Sequence, residues 1–495
     1  MTGSVEGRPP ASVPAAFARH AADDPGAPAF SDGSGGWVSR GELEGRSARL
    51  AGALAGAGLG RGDHLLFSAG TSLSLVMVQL AGMRAGLTLV PANPALTDFE
   101  LERLVASARP RAAFVDDPAR RRVVTAAAAG AGAELVAFST EDELADGPVP
   151  ELDQQQPHDP ALLVFTSGTT GQPKAVLLSH GNLLANAEAI SAAWRWTPED
   201  RLVLPLPLFH VHGLGNGVCG TLVSGGSAVL RPGFAPEDVF AVIEAERASM
   251  FFGVPTMYFR LVASPGVEAL SRLRLCVSGS APLPASLHHE VAERGGQVVL
   301  ERYGMTETLM ITSNPYDGER RPGTVGFPLP GVDVRVGEDG VAGEILVRGP
   351  NVFAGYLDDQ AANAAAFDGS WFHTGDMGEV DADGYVSIVG RAKELIISGG
   401  FNVYPREVED VLLAHPAVAE VAVAGSASDE WGEVVTAFVV PAGGDAPAPE
   451  VEELIHWCGS RLTRYKVPRL VHLVEALPRN ALGKVVRSEL RAAGS

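Results

Sequence analysis

Short runs of apolar, β-favouring residues recur along the first part of the chain. They include LVPAN at 89–93, AAFVDD at 112–117, ALLVFTS at 161–167, RLVLPLPLF at 201–209, ASMFFGVP at 248–255, LRLCVSGS at 273–280 and QVVLERYG at 297–304. Such runs, apolar on both faces and closed by turn-forming residues, predict buried strands. Between them the spacing turns helical, as in APEDVFAVIEAERA at 235–248, where Pro236 and Glu237 mark a helix start. Alternating strands and helices predict α/β layers around a mainly parallel sheet. The 58 glycines and 35 prolines are spread as punctuation, which suits many short elements joined by turns.

The pattern changes after about residue 350. The segment 371–400 places Asp383 and Gly384 between two alternating runs, a hairpin signal. The last hundred residues read as a small α+β unit. It has a helix near 406–413, strands at 418–426 and 434–442, a helix at 448–462 and a short strand at 469–474. The expected division is a large unit at 1–389, a joint at 390–393 and a small unit at 394–495.

Charge and composition narrow the function. The 495 residues carry 38 basic and 59 acidic side chains, a net charge of −21. That balance argues against nucleic acid, which needs a basic footprint. Three cysteines, far apart and without a CxxC pair, predict neither a disulfide framework nor a zinc site. The uncharged stretches 65–83 and 202–230 are broken by hydroxyls, glycines or prolines. The first predicts a strand, a turn and an amphipathic helix, and neither predicts a membrane span. The first twenty residues lack the apolar core of a leader. The expectation is a soluble, cytoplasmic protein.

The strongest chemical signal is TSGTTGQPK at 166–174. A buried strand runs into Thr166, Ser167, Gly168, Thr169, Thr170 and Gly171 and ends on Lys174. Glycines let backbone N–H groups approach a phosphate, hydroxyls donate and the lysine supplies charge. Proline at 173 rules out the GxxxxGK[ST] loop. Taken alone, a loop of this composition serves more often as an ordinary turn.

Together with four later motifs, this loop resembles the phosphate-binding signature of the adenylate-forming superfamily: acyl-CoA synthetases, peptide-synthetase adenylation domains and beetle luciferase. The other motifs are ERYGMTET at 301–308, TGD at 374–376, GRAKE at 390–394 and PRNALGK at 478–484, in the family's order. The likeness spans about residues 14–490. One departure is Ala175, where most relatives have glycine. The resemblance implies a large N-terminal domain of layered sheets and helices with a small mobile α+β C-terminal domain.

It also implies chemistry in two steps: a carboxylate attacks the α-phosphorus of ATP, and a thiol, usually that of coenzyme A, then captures the acyl-adenylate. By resemblance, 166–171 and Lys174 hold the β/γ-phosphates, Thr306 meets the α-phosphate and Glu307 ligates Mg²⁺. Ser278, Gly279, Ser280, Ala281, Pro282 and Tyr303 line the adenine pocket. Glu301, Arg302, Gly304 and Met305 complete that nucleotide-binding segment, and Asp376 and Arg391 anchor the ribose. Lys484 bridges the acid and the α-phosphate. Lys393 is the hinge about which the small domain swings, presenting Gly399, Gly400 and Phe401 to CoA.

For the acid, the stretches around His210, Arg260 and Arg302 resemble malonyl-CoA synthetases. There, arginines at the last two positions recognise a distal carboxylate. A buried second carboxylate needs a paired cation, and arginine offers a bidentate fork. His212 reads as a packed core residue. The alternatives are a CoA ligase for a fatty or aromatic monocarboxylic acid, an enzyme delivering the acyl group to a carrier protein, a luciferase-like oxidation and a non-catalytic nucleotide binder.

Overall fold

The computed structural model describes residues 9–33, 36–140, 143–149, 151–166, 174–337, 342–398, 401–428, 431–443, 448–480, 484–487 and 489–490. The expected site residues Ser167, Gly168, Thr169, Thr170, Gly171, Gly399 and Gly400 lie outside them.

Among the described residues, four sheets carry the fold. A six-stranded sheet has Ala112–Val115, His64–Ser68, Thr88–Pro91 and Pro160–Thr166 running parallel. Lys174–Ser179 closes one edge antiparallel to Pro160–Thr166. A nine-stranded sheet is parallel through its centre, from Pro28–Ser31 across Ser227–Leu230, Arg201–Leu204, Met250–Gly253 and Leu275–Ser278 to Leu300–Met305. Every residue of Thr88–Pro91, Ser227–Leu230, Met250–Gly253 and Leu275–Ser278 is buried, as expected for strands covered on both faces. The apolar runs thus become strands for one physical reason: neither face meets water.

Two stretches depart from expectation. Helix Leu73–Arg84, capped by the Ser72 side chain, is buried at every position from Leu75 onward, so it is a core helix and not an amphipathic one. In the other uncharged stretch, His212–Val218 winds as a wide π-helical turn before helix Cys219–Ser224. Among the described residues no helix is long and apolar enough to cross a membrane.

The expected hairpin forms between Trp371–Val380 and Val386–Arg391, with Gly384 left-handed at its turn (φ 89°). One 3₁₀ turn, Ala392–Glu394, then carries the chain from that sheet into strand Ile396–Ser398 of the last sheet. The last sheet packs helices Pro405–Leu413 and Val451–Gly459 around its own core of Val408, Leu412, Val423, Val435 and Leu454. This is a mixed α/β protein with a large N-terminal and a small C-terminal part.

Candidate active site

Of the expected residues that the structure describes, Arg302, Tyr303, Thr306, Glu307, Asp376, Arg391 and Lys484 gather where the nine-stranded sheet, the Trp371–Arg391 hairpin and the C-terminal segment meet. At one end stands Lys174, the first described residue after Thr166. Its backbone pairs with Thr166 across the strand pair, and its Nζ lies 4.3 Å from the centroid of the Tyr356 ring. The Tyr356 hydroxyl donates to Glu307 Oε1 at 3.1 Å, and both residues are buried. Burial raises the Glu307 carboxyl above the usual range, opposed by its own backbone N–H, Tyr356, Arg391 and Lys174. Ala175 pairs with Phe165 in regular strand register, and its carbonyl accepts from Leu357 N–H at 2.9 Å. An extended residue holds a methyl without strain, so glycine is not needed there.

Glu307 and Thr306 sit on the tight connection between Leu300–Met305 and Leu309–Ser313. Gly304 makes that connection fit: a Cβ there would lie 1.9 Å from the Leu309 carbonyl oxygen. Leu309 itself is left-handed, at φ 54°. Glycine is therefore the one residue this hairpin accepts beside Tyr303.

The two residues expected to anchor the ribose are paired with each other. Asp376 and Arg391 face each other across the hairpin register, with Arg391 Nε 3.0 Å from Asp376 Oδ1. The other carboxylate oxygen of Asp376 accepts from the Tyr303 hydroxyl. Burial and the adjacent Asp376 push the Tyr303 phenol well above its ordinary range, so it stays a donor. Glu301, at the start of the same strand, faces the Pro282–Leu283 side. Its Oε1 accepts from Leu283 N–H at 2.9 Å, Oε2 has no partner, and burial pushes its carboxyl up to about 7.

The segment 278–282 leaves strand Leu275–Ser278 and turns at Ser280, a left-handed residue (φ 69°). Ser280 Oγ lies 3.2 Å from His212 Nδ1, while Ala281 and Pro282 are exposed. Gly279 leaves room for Arg302: a Cβ there would fall 2.3 Å from the Arg302 guanidinium carbon.

Arg302 is the most unusual cation of the site. It is 5% exposed, and its Nε and Nη2 have no hydrogen-bond partner. Burial pushes it down to about 9, the nearby Tyr258 opposing. His210 stands close enough to feel both Arg302 and Lys484. Burial first, then those two cations, push its imidazole down to about 4, so it is neutral at physiological pH. Its Nδ1 accepts from the His212 backbone N–H at 3.2 Å, which leaves the proton on Nε2. His212 is buried and stacked on Phe252, as the sequence suggested.

The pair expected from sequence, Arg260 and Arg302, is not brought together. Arg260 lies exposed on helix Pro255–Ala263, its guanidinium 4.9 Å from the Phe234 ring centroid. Tyr258, two positions earlier, is the residue of that helix that faces Arg302. Two positions are about 200° of helical rotation, so the two side chains leave on opposite sides.

Lys484 reaches this centre from the C-terminal segment. Its backbone N–H donates to Asn480 Oδ1 at 3.0 Å, and its carbonyl accepts from Asn480 N–H at 2.9 Å. The side chain keeps solvent-accessible area, yet protein crowds it, and its ammonium is lowered from the ordinary lysine range. Burial is the main cause, followed by Arg391 and Arg302, with Asp376 and Glu307 opposing. Three residues on, Arg487 ties the segment to Glu394 beside the joint (2.8 Å) and to Glu409 (2.7 Å). Lys393 is exposed on the joint turn. Phe401 lies away from this centre, exposed and stacked on Tyr465 at 4.6 Å.

Among the described residues no three His, Cys, Asp or Glu side chains form a cluster able to hold a metal. Glu307 alone fits a different kind of site. A lone buried carboxylate suits Mg²⁺ that keeps waters and shares phosphate oxygens. Sequence reasoning missed Tyr356. Its one signal is a Gly-Tyr pair following an apolar strand, too common to be read by itself.

Residues 17–357 match the AMP-binding enzyme family, and residues 407–484 match the AMP-binding enzyme C-terminal domain. The chain is 38% identical to indoleacetate–CoA ligase of Aromatoleum aromaticum, over 92% of each chain. It is also 38% identical to the malonate–CoA ligase of Arabidopsis thaliana, over 67% of this chain and 60% of that one. The solved structure of ATP-bound MatB from Rhodopseudomonas palustris superposes with a TM-score of 0.92 at 38% identity, covering 97% of this chain and 99% of that one. The chain belongs to the AMP-binding enzyme family and is an ATP-dependent, AMP-forming acyl-CoA ligase.

Proposed function

We propose that this AMP-binding enzyme activates a short dicarboxylic acid, malonate or methylmalonate, and transfers it to CoA. The observation that carries the reading is Arg302. A buried guanidinium with two N–H groups unpartnered, beside His210 and within electrostatic reach of Lys484, is a site lacking its anion. A distal carboxylate supplies that anion and leaves the reacting carboxylate near Lys484. The likeness to a malonate–CoA ligase supports the same choice.

In the first step a carboxylate oxygen bonds to the α-phosphorus and pyrophosphate leaves. Lys484 stands between the two anions and offsets their repulsion, and Thr306 lies at the α-phosphate. The 166–171 segment and Lys174 hold the β- and γ-phosphates. Glu307 would hold Mg²⁺, whose chemistry there is neutralisation of the polyphosphate charge. Asp376 with Arg391 orients the ribose. Tyr303 and 278–282 enclose the base, the rest of 301–305 backing them. In the second step the CoA thiolate attacks the acyl carbonyl and AMP leaves. For this the small domain rotates at Lys393, withdraws Lys484 and brings 399–401 to the cleft.

The second reading is a ligase for an aromatic monocarboxylic acid. It is favoured by the exposed position of Arg260 and by the match to indoleacetate–CoA ligase over nearly the whole chain. The test is incubation with ATP, Mg²⁺, CoA and pooled malonate, methylmalonate, succinate, acetate, octanoate and benzoate, followed by thioester masses. Malonyl- or methylmalonyl-CoA is the expected main product. Thioesters of monoacids alone overturn the diacid reading. AMP without thioester identifies a carrier protein or another acceptor.

A further inference from the structure

One side chain touches both ends of the proposed phosphate site. Tyr356 is 8% exposed and braced on every side. Its N–H donates to Asn363 Oδ1 at 2.6 Å, its carbonyl accepts from Asn363 Nδ2 at 2.9 Å, and its ring meets Phe353 edge-on at 4.9 Å. The backbone forms a bridge to Val176, and the next residue donates to Ala175. Tyr356 is therefore fixed to the same strand that begins with Lys174. From that position the hydroxyl reaches Glu307 while the ring face receives the Lys174 ammonium.

Lys174 and Glu307 feel each other's charge, yet no direct ion pair joins them among the described residues; each meets Tyr356 instead, the ammonium at the ring and the carboxylate at the hydroxyl. A lysine resting on an aromatic face keeps its N–H groups available, because the ring satisfies charge without accepting strong hydrogen bonds. A lysine locked onto a carboxylate would have to break that pair before meeting a phosphate, and the carboxylate would be lost to a metal.

We propose that Tyr356 is a positioning residue that keeps the phosphate lysine and the metal carboxylate from neutralising each other. The inference rests on the roles given above to Lys174 and Glu307. It also divides the side chain into two functions. The ring serves Lys174, and the hydroxyl orients Glu307.

The test is calorimetric ATP binding by the full chain without acid, so that no adenylate forms, with and without Mg²⁺. Tyr356→Phe keeps the ring. It is expected to leave metal-free ATP affinity unchanged and to reduce the gain on adding Mg²⁺ about tenfold. Tyr356→Leu lets Lys174 fall onto Glu307, so metal-free affinity is expected to drop about tenfold as well. Adding Glu307→Gln to the leucine variant removes the competing charge and is expected to restore metal-free affinity. A merely structural role would not be rescued in this way. Two results overturn the inference: a Phe variant that loses metal-free ATP binding, or a leucine variant that Glu307→Gln does not rescue. If Lys174→Ala and Glu307→Gln alone both leave ATP and Mg²⁺ binding unchanged, the assignment of the phosphate end fails instead.

Discussion

The two halves of the cleft differ in how far their polar groups are already satisfied. On the side proposed to hold the nucleotide, Asp376 is held by Tyr303 and Arg391 and Glu307 by Tyr356, with Ser278 Oγ and Glu301 Oε2 the unpartnered exceptions. On the side proposed to hold the acid, Arg302 Nε and Nη2 and buried His212 Nε2 lack partners. Buried polar groups are normally paired, so the unpaired ones mark where a ligand supplies the missing partner. The difference teaches what each half is built to meet. Under the proposed assignment, the nucleotide finds most of its partners prearranged. Under the same assignment, the acid is met by one uncompensated cation, whose desolvation the ligand must repay.

Lys484 stands at the boundary of the halves, and its removal is the largest expected effect. Lys484→Ala should slow adenylate formation on the order of 10²–10³-fold or more, while conversion of a supplied acyl-adenylate to thioester survives. Pyrophosphate exchange and thioester assay measure the two steps separately. Equal loss in both removes the lysine from the boundary.

Next comes the acid side itself. Arg302→Ala should raise KM for a diacid on the order of a hundredfold or more and for a monoacid far less. Arg260→Ala should do little with either acid. An effect of Arg260→Ala equal to that of Arg302→Ala would mean that the helix turns its other face to the cleft when substrate binds. Gly279→Ala sharpens the contrast without touching a charge. Its methyl would stand against the Arg302 guanidinium, so diacid KM should rise more than ATP KM. Steady-state kinetics with each substrate varied checks all three.

The smallest effect concerns Glu301, which is unsatisfied on one oxygen but lies near Arg406 and Asp410 of the C-terminal part. Its carboxyl ionises near 7 when folded, against an ordinary value of 4.5. Between those values the folded chain binds the extra proton. Stability from this group is therefore present at the acid end of the window and lost as pH rises to about 7. Glu301→Gln should flatten that slope, read as melting temperature against pH. An unchanged slope would mean that the carboxyl is not buried in solution.

Much of the fold was legible because strands buried on both faces announce themselves as apolar runs between turn formers. Asp376 and Arg391 stood out as parts of two motifs, and their pairing follows from hairpin register. What escaped was anything set by rotation or by distance along the chain. Arg260 and Tyr258 are two letters apart and face opposite ways. Tyr356 meets Glu307 across 49 positions. The wide turn at His212–Val218 has no counterpart in the spacing of its residues.

The three cysteines, read at first only as an absence of disulfides, have a consequence for an enzyme that makes a thiol-reactive intermediate. Cys219, Cys276 and Cys458 are all buried, and burial pushes their thiols up to about 12, 12 and 11. A thiol is a nucleophile only as thiolate. All three thiols are therefore poor competitors with CoA for the acyl group. The same silence makes the native chain a clean background for labelling. A single cysteine introduced on the exposed face near Ile397 would take a fluorophore alone and would report whether the small domain rotates as proposed.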